Sequence, residues 1–84
     1  MKPEDILPDD INHTVLDGVR VRKGSVGAFI ANARTFLDPA SSDEARRDAE
    51  RDLLALVPAV RAVGLFDLFE LRDPRLRALI ENAR

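Results

Sequence analysis

The sequence predicts an α+β domain, mainly α, with one N-terminal β-hairpin followed by three to four helices. Three observations carry that prediction. The stretch His13–Arg22 has β-branched and apolar residues on both sides of Asp17-Gly18. After Ser25 and again after Ser41, apolar residues recur at three- and four-residue spacing, the period of a helix with one buried face. Near the C-terminus an Asp-Pro pair opens a last segment with leucines at the same spacing.

The chain has 84 residues, a size at which folding buries roughly 60% of the surface that the unfolded chain exposes. That allows one modest core and a single domain over 1–84, divided into an acidic arm (1–12), a hairpin (13–22) and a helical part (25–84). The arm holds Pro3, Pro8 and the acids Glu4, Asp5, Asp9 and Asp10, a composition for short turns. In the hairpin, Asp-Gly is the pair that a two-residue type I′ turn favours, because both of its central residues need positive φ. Such a turn pairs Leu16 with Val19, Val15 with Arg20, Thr14 with Val21 and His13 with Arg22. Thr14, Leu16, Val19 and Val21 then share one face, and His13, Val15, Arg20 and Arg22 the other. An isolated hairpin is marginal in water, so this one must pack on something.

Ser25 is positioned to cap the first helix, in which Val26, Phe29, Ile30, Ala33 and Leu37 form a stripe; the helix ends before Pro39. Ser41 with Glu44 three residues on reads as a capping box, and Asp43 suits the positive end of the helix dipole. Ala49, Leu53, Leu56, Val57 and Val60 make the second stripe, with Pro58 marking a kink or a fresh helical turn and Gly64 a C-terminal cap. "LFDLFEL" fits a helix better than a strand, since helical spacing groups Asp67 with Glu70 and Leu65 with Leu68 and Phe69. Asp73 then caps a last helix, with Pro74 at its first position and Leu76, Leu79, Ile80 and Ala83 along one side.

Composition narrows the function. Charged residues are 33% of the chain, yet the net charge is only −2, whereas a nucleic-acid-binding domain is usually strongly basic. There is no Tyr or Trp to stack on bases, and the four Phe lie in apolar patterns. Arg72, Arg75, Arg77 and Arg84 are interleaved with acids, as on a solvated helix face. No nucleic-acid partner is expected. No apolar run reaches the length of a membrane span, and the N-terminus lacks the apolar core of a signal peptide, so a cytoplasmic protein without a membrane partner is the expectation. With no Cys and one His a zinc site has no ligand set. The acids of the arm lack the spacing of a calcium loop. No metal and no cofactor are expected.

The stretch Arg22-Lys23-Gly24-Ser25-Val26-Gly27 admits two readings. A helix start with two cations before it can hold an anion, through Arg22, Lys23, Ser25 and Gly27. But a Walker loop needs its lysine after the glycines, and a dinucleotide loop needs three glycines inside a βαβ unit. The structural reading is preferred, with Gly24 in the turn and Gly27 where hairpin and helix approach closely. Ser25 is no better as a nucleophile, because the G-x-S-x-G elbow is missing and His13 lies on the far hairpin face.

One feature exceeds the needs of a small monomer. Leu65, Phe66, Leu68, Phe69 and Leu71 present apolar groups over more than one helix face, and Leu54 lies off its own stripe. A short helix buried on all sides would also look like this. Homodimers are the commonest oligomers and share core-like patches, so an interface at these five residues, joined by Leu76, Leu79 and Ile80 of the last helix, is expected.

The segment "TVLDGVRVRKGSVGAFIANARTF" resembles a family of small bacterial proteins of unknown function, through the aspartate-glycine turn, the Gly-Ser-hydrophobic-Gly helix start and Asn32. The resemblance covers about the first half of the chain and implies no substrate, cofactor or catalytic residue. Arg22 and Lys23 depart from it. The expectation is a small non-catalytic protein-interaction or structural module, not an enzyme, forming a homodimer or binding another protein. The alternative is a small-ligand or phosphate-binding module at Ser25.

Overall fold

The computed structural model describes residues 13–16 and 18–82. The acidic arm, Asp17, Ala83 and Arg84 lie outside the described residues, and so do the expectations that fall on them.

Strands β1 (His13–Leu16) and β2 (Val19–Arg22) pair antiparallel in the expected register, with His13 opposite Arg22 and Leu16 opposite Val19. Gly18 has φ +76°, the left-handed conformation that glycine adopts without steric cost. Val21 is buried, Leu16 and Val19 are half-buried, and Val15, Arg20 and Arg22 face outward. The period-two alternation thus decides which face is covered. β2 lies against the long second helix.

Helix α1 (Ser25–Leu37) starts one residue earlier than a Ser25 cap would allow. Gly24 occupies the N-cap position in the left-handed region (φ +89°), and no side chain caps the helix. Ser25 is already helical, and its hydroxyl donates backwards to the Arg22 carbonyl at 2.8 Å. The buried arc of α1 is also rotated from the expected stripe. Phe29 and Ala33 are buried and Phe36 and Leu37 pack against the core, while Ile30 is 46% exposed. Successive helical residues turn by about 100°, so an arc centred on Phe29, Ala33 and Phe36 leaves Ile30 beyond its edge.

Helix α2 (Asp43–Val63) is capped by Ser42, not by Ser41: the Ser42 hydroxyl accepts from the Ala45 N–H at 3.0 Å. Ser41 is engaged elsewhere, donating to the Thr35 carbonyl at 2.7 Å across the loop. Glu44 therefore stands one position short of a capping box. The helix runs through Pro58 as a single element, and Pro58 is on its exposed side. Ala49, Leu53, Val57 and Val60 are buried as expected, with Leu53 and Val60 completely so. Packing of α1 on α2 is the most extensive between any two elements.

Gly64, at φ +92°, ends α2 and begins the short helix α3 (Leu65–Leu68). Here the expected longer helix is corrected. At Phe69 the backbone is already extended (φ −125°, ψ 144°), and no regular structure follows until α4 (Pro74–Glu81). The reason lies downstream. Pro74 keeps Asp73 out of the α region (ψ 124°), and Arg77 donates to the carbonyls of Leu71 at 3.0 Å and Arg72 at 3.4 Å. Residues 69–73 are thus held as a strap. Asp73 caps α4 as expected, accepting from the N–H groups of Arg75 and Leu76.

The core joins α1, α2 and α4 through Phe29, Ala33, Leu53, Val57, Val60, Leu76 and Ile80. Phe66 meets Phe29 edge to face, with ring centroids 5.9 Å apart at 66°, a geometry that aromatic quadrupoles favour. No helix among the described residues is long and apolar enough to cross a membrane.

Candidate functional site

The apolar surplus of residues 65–71 is divided by the turn at Gly64 and the strap that follows α3. Leu65, Phe66 and Leu71 turn inward and pack against the core. Leu68 and Phe69 turn outward and are 83% and 65% exposed, the two most exposed large apolar residues described. The five candidate interface residues are therefore two different things. Three are the rim of the core, and two form an outward step.

Beside that step lies a groove of about 220 Å³, lined by Arg61, Phe66, Phe69, Glu70, Leu71, Arg77, Ile80 and Glu81. Its apolar lining comes from α3, the strap and α4, and two cations and two acids complete its wall. Arg61 reaches from α2 to the Ile80 carbonyl at 3.1 Å, so one cation ties the end of α4 to α2. Arg77 holds the strap and also stands 3.8 Å from the Glu70 carboxylate, which is 81% exposed. This corrects the reading of Arg77 as part of a solvated helix face, since its guanidinium is spent on main-chain carbonyls. A shallower hollow, lined by residues that include Leu37, Arg72 and Pro74, shares Glu70 and Leu71 with the groove. The sequence reading grouped Phe66, Phe69 and Leu71 with Ile80 but missed Arg61 and Glu81 as their neighbours, and Leu76 and Ile80, expected at an interface, are buried in the core instead. The Arg61–Ile80 contact spans nineteen residues, and no local spacing signals it.

At the turn between β2 and α1 the four candidate anion ligands are close in sequence but differently disposed. Arg22 and Lys23 are exposed, and so is Gly27. Ser25 is only 7% exposed, and its hydroxyl proton is directed to the Arg22 carbonyl. It closes the turn between β2 and α1 from within. The close approach of hairpin and helix expected at Gly27 is not found: a Cβ there would meet nothing within 4 Å.

Asp73 is the group whose acidity the fold alters. The hydrogen bond from the Arg75 side chain lowers its pKa, and bonds from the backbone N–H groups of Arg75 and Leu76 add to this, against a smaller opposing effect of desolvation. Among the described residues no group of three or more His, Cys, Asp or Glu is placed to hold a metal ion, and no buried side-chain nitrogen or oxygen is without a partner. Comparison of the chain with protein-family models, with curated proteins and with solved structures gives no match.

Proposed function

We propose that this chain is a small non-catalytic interaction module that associates with a second copy of itself through the outward step at Leu68 and Phe69. The single observation behind this reading is that adjacent pair, 83% and 65% exposed at the edge of a partly apolar groove. Single exposed apolar residues are common on protein surfaces, and two adjacent ones beside a partly apolar hollow favour an association site. The divided environment of residues 65–71 fits the same reading, because the inward members pack on the core while the outward members are exposed.

Size-exclusion chromatography with light scattering tests it. At tens of micromolar the expected mass is twice the 9.3 kDa of one chain. Phe69→Ala should shift the equilibrium toward monomer without lowering the stability of the folded chain. Phe66→Ala, which removes the ring packed on Phe29, should lower stability instead. A mass of 9.3 kDa throughout that range would overturn the proposal.

A further inference from the structure

Resting on that self-association, we infer that the interface is a reciprocal exchange, in which Leu68 of each copy enters the groove of the other. Knob and hole lie side by side on one surface. Leu68 is 83% exposed, and Phe69, the next residue, forms one wall of the groove. A twofold axis passing midway between Leu68 and the groove carries each Leu68 to the partner's groove and keeps the two Leu68 side chains apart, which is the self-complementarity that an isologous interface requires. The dimensions agree. Apolar cavities of roughly 150 Å³ admit a guest the size of benzene, and this groove is about 220 Å³, so a leucine side chain fits.

The charges at the groove select the same occupant. Arg61 and Arg77 stand there with Glu70 and Glu81, so a ligand or peptide of one sign meets like charge as well as opposite. A second copy brings the same two cations and two acids, and a twofold arrangement can set the exposed Glu70 of one copy toward the cationic side of the other's groove. Glu70 is suited to this, being 81% exposed and only distantly paired with Arg77 at 3.8 Å. Rim charges of this kind fix register and partner choice more than affinity.

The chain contains no cysteine, so single introduced thiols report contacts cleanly. Leu68→Cys mixed with Glu81→Cys should form a mixed disulfide under mild oxidation faster than Leu68→Cys pairs with itself. Leu68→Glu should raise the dimer dissociation constant about tenfold or more, with the circular dichroism spectrum and thermal midpoint of the monomer unchanged. Two failures are distinguishable. A wild-type chain that is monomeric at tens of micromolar leaves the groove to a foreign occupant and overturns both the exchange and the self-association beneath it. A wild-type dimer that Leu68→Glu does not weaken, or in which Leu68→Cys pairs only with itself, overturns the exchange alone.

Discussion

Ser41 and Ser42 differ by one position and do opposite things with their hydroxyls. Ser42 accepts from Ala45 N–H at the start of α2, and Ser41 donates to Thr35 at the end of α1. Ser42→Ala should cost about 1 kcal/mol in denaturant unfolding, the usual magnitude for a lost N-cap. From sequence only Ser41 is favoured, because Glu44 three residues on completes a capping box. The decision is made by a bond to Thr35 six residues away, which periodicity does not encode. Asp73 was legible, because Asp-Pro ahead of an apolar stripe is a cap with a mechanism. Its carboxyl is held below the ordinary 3.8, and the sign of the pH effect follows. A lowered pKa in the folded state adds stability above the unfolded value, and that contribution is lost as pH falls through the folded value. The thermal midpoints of the native chain and Asp73→Asn should therefore differ by a constant amount between pH 5 and 8. Their gap should close as pH drops below about 4; a gap unchanged by acid would contradict the assignment.

The helices were readable to different depths. α2 carries its stripe over many turns, and Ala49, Leu53, Val57 and Val60 are buried as the spacing requires. The α1 stripe was placed too far round because Ile30 and Phe36 are both large and apolar, and only the packed partner distinguishes them. "LFDLFEL" was read as one helix because local pattern cannot weigh a downstream arginine that offers its carbonyls another partner. Pro58 left two outcomes open, and α2 continues through it. A proline inside a helix removes a backbone donor and costs about 3 kcal/mol relative to alanine, offset in part by roughly 0.4–1 kcal/mol from a stiffer unfolded chain. Because Pro58 is exposed, its replacement removes no core contact. Pro58→Ala should stabilise the protein by about 2–2.6 kcal/mol, read as a higher denaturant midpoint with unchanged slope.

At the scale of the whole molecule, three arginines join pieces of main chain that lie apart in the sequence. Arg46 donates to the carbonyls of Asp38 and Ser41 at the α1–α2 loop, Arg61 to Ile80, and Arg77 to Leu71 and Arg72. Arg77→Lys keeps the charge but loses the planar fork that reaches two carbonyls at once. It should cost about 1–2 kcal/mol, the worth of a charge-assisted hydrogen bond, and should speed amide exchange across residues 69–73. An unchanged exchange rate there would mean that the strap is held by Leu71 alone. The hairpin, the helix order and the core were visible as pattern, whereas these clasps were not, since in sequence they look like solvent-exposed charge. All of them grip main chain, which every residue type possesses. Asp38, Ser41 and Arg72 can therefore drift in evolution without loosening the grip, while positions 46, 61 and 77 cannot. Paired substitutions across homologues would never reveal these contacts; they would show up only as solitary arginines that refuse replacement, even by lysine.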